Sequence, residues 1–279
     1  MQEVTSIPRL RAWREAQRAA SRRVGFVPTM GHLHEGHLAL VDEARRRTDT
    51  VALSIFVNPL QFGPQEDLGR YPRDLPHDRR LSEARGVELL FVPSVETMYP
   101  PGTEIRVAAG DTAERWEGAA RPGHFTGVLT VVAKLFHLVE PDVVCFGQKD
   151  IQQVTLVRRM LRDLDWPIDL AIVPTVRDAD GLALSSRNAY LSGAEREQAT
   201  ALSRGLLAAR GAWRAGERSA GALEATVRAS LDAAPVRAEY IAVVDPDGLR
   251  PVTTAVSGTI IALAARIGST RLIDNVILE

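Results

Sequence analysis

The sequence predicts an α/β fold, a Rossmann-like doubly wound parallel sheet with a smaller C-terminal α+β domain. Three observations predict it. Apolar, β-branched runs at 24–28, 50–57, 87–92, 143–147 and 168–176 read as strands that are continuously apolar, not alternating. That is the pattern of a parallel sheet covered on both faces. Amphipathic stretches at 8–20, 36–47, 73–85, 126–139 and 150–164 separate them and carry the helical period. After about residue 176 the pattern changes.

Each element has a local reason. Leu38, Leu40, Val41 and Ala44 give the stretch 36–47 one apolar face. The segment 98–124 contains Pro100-Pro101-Gly102 and Arg121-Pro122-Gly123, so it reads as irregular, with a short pairing strand near 104–108. Ser192 followed by Glu195 reads as a capping box opening a helix of roughly 193–213. A second helix near 219–233 precedes strand-like runs at 237–244, 258–265 and 271–278, which suit an antiparallel sheet. The expected domains are 1–176, binding ligand, and 177–279, acting as a lid. In open parallel sheets ligands bind beyond the carboxyl ends of the strands, at a topological switch point.

Composition narrows the function. The net charge is −1, so no global field draws in nucleic acid. Cys145 is the only cysteine, which excludes an intrachain disulfide framework and fits a reducing compartment. The sequence shows no signal-type apolar core and no run of 18 apolar residues, so a cytoplasmic protein without membrane or nucleic-acid partners is expected. Only two of the 34 basic residues are lysines, Lys134 and Lys149, and only three residues are asparagine: Asn58, Asn188 and Asn275. A chain that uses arginine almost everywhere keeps lysine either by chance or where a compact, movable ammonium is needed.

Four polar signatures carry chemistry. In the first, Pro28-Thr-Met-Gly-His-Leu-His-Glu-Gly-His37, three of six histidines fall where a strand turns into a helix. A helix start has unsatisfied N–H groups and a positive dipole end, so it favours anions, phosphate above all. His34-Glu-Gly-His37 is one residue too short for the zinc-protease pattern, although a His-x-His-x-x-His set could bind a metal. The second, Ser54-Ile-Phe-Val-Asn-Pro-Leu-Gln-Phe-Gly63, places the neutral amides of Asn58 and Gln61 after a strand. Such groups suit a ligand with hydroxyls and a carboxylate, or a plain Asn-Pro turn.

The third, Cys145-Phe-Gly-Gln-Lys-Asp-Ile-Gln-Gln153, is strand, glycine, lysine and helix, again phosphate-binding geometry, with Asp150 an alternative N-cap. The fourth, Arg177-Asp-Ala-Asp-Gly-Leu-Ala-Leu-Ser-Ser-Arg-Asn188, offers two hydroxyls and a guanidinium, with Gly181 as a hinge or the whole as a surface loop. Neither a Walker-type loop nor the spaced glycines of a dinucleotide fold is present.

In this order the four signatures resemble those of the pantoate–β-alanine ligases over essentially the full length. The His-x-Gly-His and Ser-Ser-Arg elements are also similar to those of the wider nucleotidyl-transfer superfamily that includes class I aminoacyl-tRNA synthetases. The resemblance implies ATP-dependent condensation of pantoate with β-alanine to pantothenate, AMP and pyrophosphate through a pantoyl adenylate. It implies His37, His34 and Lys149 as catalytic residues, with His37 in the proton-donor position. Contacts to ATP are implied for Met30, Gly31, His32, Leu33, His34, Glu35, Gly36 and His37, for Gly147, Gln148, Lys149 and Asp150, and for Val176, Leu184, Ser185, Ser186 and Arg187. Leu184 stands where the family often has methionine.

Pantoate is assigned to Gln61, Gln153 and Asn58, and β-alanine to Gln61. Asp78 matches a family acid suspected of metal contact, and a solvated or salt-bridged helix residue is the alternative. Arg121, His124 and Thr126 are expected near the site, with His124 equally readable as a structural histidine. Mg2+ should accompany ATP, no tightly bound organic cofactor is expected, and a homodimer is implied. The competing readings are a nucleotidyltransferase passing AMP or CMP to a small phosphorylated acceptor, and a silent nucleotide-binding module.

Overall fold

Six parallel strands form the principal sheet, and the central ones are apolar runs too buried to show alternation. In chain order the elements are β1 (Gln2–Val4), α1 (Ile7–Ala19), β2 (Val24–Thr29), α2 (Glu35–Arg47), β3 (Thr50–Ile55), α3 (Leu75–Ala84), β4 (Leu89–Phe91), α4 (Val95–Met98), α5 (Glu117–Ala120), α6 (His124–Val139), β5 (Val143–Gly147), α7 (Ile151–Asp163) and β6 (Asp169–Val173). They come from a computed structural model that describes residues 1–64, 66–234 and 236–279. Two compact units emerge. The first is Met1–Ala113, Arg121–Gly147 and Leu156–Val173, and the second is Glu114–Ala120, Gln148–Thr155 and Pro174–Glu279.

In the first unit the strand order is β1-β4-β3-β2-β5-β6, with every pairing parallel. The chain winds outward from β2 to β4, then restarts at β5 and winds the other way. The switch point lies between β2 and β5, which pair through Gly25↔Val143 and Phe26↔Val144. All six residues of β3 are buried. Leu40, Val41 and Ala44 of α2 pack onto Val27, Leu53 and Val143 in one core cluster. Such burial, about 25 cal/mol per Å2 of apolar surface, is the main force holding the layer.

Two sequence expectations differ from the structure here. β1 was not foreseen, because three residues of an edge strand are too few to show a period. The pairing strand near 104–108 does not form. Ile105 is 83% exposed, and the Val107 N–H donates to the Thr130 hydroxyl at 2.9 Å instead of to a neighbouring strand.

The second unit contains α8 (Gly193–Arg214), α9 (Ala220–Asp232), β7 (Arg237–Val244), β8 (Ile260–Ile267) and β9 (Thr270–Ile277). The strands form an antiparallel sheet, β7-β8-β9. The helices cover it through Leu202, Leu206, Leu223 and Val227, packed with Ile261 and Leu263. The expected capping box holds: Ser192 Oγ accepts from Glu195 N, and the Glu195 carboxylate accepts from Ser192 N at 2.9 Å. Segments from earlier in the chain complete this unit. Ile151 packs with Ala242, Val244 and Ile260, and Trp116 Nε1 donates to the Leu249 carbonyl at 2.8 Å. Among the described residues no helix is long and apolar enough to cross a membrane.

Candidate active site

The first candidate loop leaves the tip of β2. Thr29 Oγ1 donates to the Ser54 carbonyl at 2.8 Å and accepts from Gly31 N at 3.1 Å, which folds the chain back on itself. Gly31 has φ +84°, and a Cβ there would stand 2.9 Å from both Asp78 Oδ2 and Ile55 Cγ2. Only glycine fits. His32 follows with φ +51°, a left-handed conformation that costs a side-chain-bearing residue about 1 kcal/mol.

Asp78 on α3 holds that turn. Its carboxylate accepts from His32 N at 2.9 Å and from Leu33 N at 2.7 Å, and it is 1% exposed. The sequence put Asp78 forward as a metal contact. With both oxygens turned onto backbone N–H groups, its geometry favours a brace for the loop and speaks against a direct ligand. Among the described residues no three His, Cys, Asp or Glu side chains gather in metal-binding geometry.

The two following histidines start α2. His34 is the N-cap, its Nδ1 accepting from Gly36 N at 3.1 Å, and His37 Nδ1 accepts in return from His34 N at 3.4 Å. A capping box is thus built from two imidazoles, with ring centroids 4.1 Å apart. A nitrogen that accepts an N–H carries no proton, so in the neutral form the proton of each ring sits on Nε2. The helix start thereby fixes the tautomer of both rings and gives each an Nε2–H donor at the positive end of the dipole. Leu33 is buried in the core and Glu35 pairs with Arg85 at 2.5 Å. Neither side chain is turned to ligand work.

The second loop follows β3. Asn58 is 1% exposed and fully committed: Nδ2 donates to Gln61 Oε1 and to the Gly127 carbonyl, both at 3.1 Å, while Oδ1 accepts from Leu60 N and from Tyr99 Oη at 2.9 Å. An amide offers two donors and two acceptor positions, and all are used. Asn58 was expected to touch pantoate; it fixes Gln61 instead. Burial pushes the Tyr99 phenol up to about 12, so it stays protonated and keeps donating. The Lys134 ammonium lies 5.7 Å from the Tyr99 ring centre and donates to the Met98 carbonyl, so this lysine serves the packing of α4.

Gln61 is held at both ends. Its carbonyl takes His124 Nδ1 at 2.8 Å and Arg121 Nη2 at 3.3 Å, while Arg121 Nη1 lies 3.1 Å from His124 Nε2. Arginine can only donate, so Nε2 accepts and the His124 proton is on Nδ1. The Gln61 amide nitrogen donates to the sulfur of Met30 at 3.1 Å. Sulfur is a weak acceptor, readily exchanged for a ligand oxygen. Of these residues around Gln61, only Tyr99 and Gly127 gave no signal in the sequence.

The other two loops belong to the second unit. Gln148–Asp150 form one 3-10 turn before α7, and Lys149 pairs with Asp150 at 3.9 Å, the outer limit of an ion pair. Asn275 of β9 donates from Nδ2 to the carbonyls of Gln148 and Lys149, each at 2.9 Å, and accepts from Gln148 Nε2 at 3.1 Å. On α7, Gln152 is buried and holds Glu117 N and the Arg115 carbonyl, while Gln153 is half-buried. The fourth loop is a short hairpin with a bridge at Arg177↔Ala183. Arg177 forms a two-pronged pair with Asp274, at 2.6 and 2.9 Å, and Leu184 N donates to the Val176 carbonyl at 3.0 Å. Ser185 Oγ caps the turn Ser186–Tyr190 by accepting from Arg187 N at 3.3 Å, with Ser186 buried.

Comparison with known proteins agrees with these signatures. A family model described as pantoate-beta-alanine ligase matches residues 2–277. A pantothenate synthetase of Roseiflexus sp. (strain RS-1) is 52% identical over 280 residues, covering 100% of both chains. A crystal structure of pantothenate synthetase from Thermus thermophilus superposes with a TM-score of 0.94 at 50% identity, covering 100% of this chain and 99% of that one. A pantoate-beta-alanine ligase from Francisella tularensis, complexed with beta-gamma ATP and beta-alanine, gives a TM-score of 0.82 at 32% identity, covering 99% and 97%.

Proposed function

This chain belongs to the pantoate-beta-alanine ligase family, and we propose that it joins pantoate to β-alanine at the expense of ATP, in two steps, on the residues described above. In the first step a pantoate carboxylate oxygen attacks the α-phosphorus. A C–O–P mixed anhydride forms, the bond between the α-phosphorus and the bridging oxygen breaks, and pyrophosphate leaves. In the second the β-alanine amine attacks the acyl carbon, the C–N bond forms, the amine loses a proton and AMP leaves. The observation that carries this reading is the pair of imidazoles whose Nε2–H donors are set by the start of α2.

The first step brings two anions together and spreads charge over phosphate oxygens, so fixed donors are what it needs. His34 and His37 supply two, Lys149 a compact ammonium, and Ser185, Ser186 and Arg187 hold the phosphates. His37 occupies the family's proton-donor position, and hydrogen bonding in the transition state is its larger contribution. Backbone from Met30 to His37, from Gly147 to Asp150, and at Val176 and Leu184 completes the nucleotide contacts. Gln61 and Gln153 hold pantoate, Asn58 acts through Gln61, and Gln61 later meets β-alanine. Mg2+ brought in with ATP would offset phosphate charge, bound mostly through phosphate and water. The neutral amides disfavour a nucleotidyltransferase, which would want cations for a phosphorylated acceptor.

Exchange of labelled pyrophosphate into ATP tests the reading. It should require pantoate, and exchange without pantoate, or none with it, would sink the adenylate. In the same assay Gln153→Ala should raise the pantoate KM about tenfold with ATP affinity held, the size of one lost hydrogen bond to a charged group. A fall in ATP affinity alone would overturn that assignment. The chain is further proposed to act as a homodimer, and a light-scattering mass of a single 30.5 kDa chain would remove that proposal.

A further inference from the structure

Asparagine is scarce in this sequence, and each of the three is spent in the same way. Asn58 braces the Gln61 loop, Asn188 Nδ2 donates to the Ala183 carbonyl at 3.0 Å beneath the Ser-Ser-Arg loop, and Asn275 takes the carbonyls of Gln148 and Lys149. The last lies more than a hundred residues from the turn it holds. We propose that Asn275 is a positioning residue for Lys149, fixing the backbone from which the ammonium projects. The proposal rests on the reading that Lys149 acts on the nucleotide.

The geometry supports a specific need for this side chain. Asn275 is 1% exposed and paired with Ala262 of β8, so its backbone cannot drift. Both hydrogens of its amide are used, one on each carbonyl, and its oxygen accepts the side-chain amide of Gln148. The ion pair of Lys149 with Asp150, at 3.9 Å, is a weak hold on the ammonium, so the backbone turn held by Asn275 is the firm support from which it projects. Serine would be too short to reach. Aspartate would turn an oxygen toward two carbonyl oxygens.

The preceding residue completes the device. Successive side chains of a strand point to opposite faces. Asp274, 3% exposed, uses one face to grip Arg177 at the base of the fourth loop, while Asn275 uses the other to grip the third. Two adjacent residues of β9 thus anchor two loops whose proposed ligand is the same triphosphate.

The test is a double-mutant cycle on the full chain, read by pantoate-dependent pyrophosphate exchange with ATP and pantoate. Asn275→Ala should cut the exchange rate tenfold or more with the pantoate KM within twofold. In a Lys149→Ala background the same substitution should cost less than twofold, because there is no ammonium left to misplace. A merely structural role would multiply the two losses, and that result, or normal exchange in Asn275→Ala, would overturn the proposal. If Asn275→Ala does not fold, Asn275→Asp keeps the size and the acceptor for Gln148 but loses both donors, and normal exchange there would overturn it equally. Near-normal exchange in Lys149→Ala alone would show that the reading of the lysine has failed, and the proposal would fall with it.

Discussion

Replacing His37 by alanine is expected to slow pantoate-dependent pyrophosphate exchange by about a hundredfold or more, the scale of losing one preorganised donor in a low-dielectric site. The same change removes half of the imidazole capping box, since His37 Nδ1 accepts from His34 N. Loss of that cap should cost about 1 kcal/mol of stability. The two effects can be separated. Asparagine at position 37 can still accept from His34 N through its side-chain oxygen but has nothing in the place of Nε2–H. His37→Asn should therefore melt close to the wild type while remaining as slow as His37→Ala. Recovery of rate along with stability would mean that the ring matters only as a cap, and the assignment of His37 to the chemistry would be lost.

Gly127→Ala should be among the most damaging substitutions in the first unit. Alanine inside a helix normally stabilises by about 1 kcal/mol over glycine, so a neutral site would gain. Here a Cβ would stand 2.1 Å from the Leu60 carbonyl oxygen and 2.6 Å from Gln61 N, both backbone atoms that cannot swing aside. Either α6 or the Asn58–Gln61 turn must move, and Asn58 is tied to the Gly127 carbonyl across that contact. A cost of about 3 kcal/mol is expected, the upper end for overpacking, together with weaker use of pantoate as Gln61 shifts. Gly211→Ala in α8 is the control, since a Cβ there would meet nothing within 4 Å. Thermal melts and the pantoate KM, measured side by side, check both. A Gly127→Ala protein as stable as the wild type would show that the turn is looser than its contacts imply.

The parallel sheet was legible because a strand buried on both faces must be apolar throughout, as β3 is. Helix starts were legible where a cap lies within three residues, as with Ser192 and Glu195. The four signatures that carry the family resemblance were legible for the same reason: each is continuous in sequence, with its turn attached. What supports them was not. Asp78, Tyr99, Gly127 and Asn275 reach their loops from tens of residues away, and only the winding of the chain decides that they meet. Asn58 shows the limit well. Its residue type suggested a ligand contact, but its neighbours satisfy every polar position it has. The segment around Ile105 and Val107 failed for the converse reason. Its alternation suits a strand, yet no edge is offered to it among the described residues, and a threonine hydroxyl takes the Val107 N–H.

The Asp274–Asn275 pair gives the hairpin of β8 and β9 a duty beyond packing. These strands are joined by only Gly268 and Ser269, and the connection sets which residue of β9 stands opposite which residue of β8. A slip of one position would exchange the faces of the aspartate and the asparagine, freeing the third and fourth loops in a single stroke without altering any residue in either. The two-residue length of that distant bend is therefore as much a condition for holding the carbonyls of Gln148 and Lys149 as Asn275 itself.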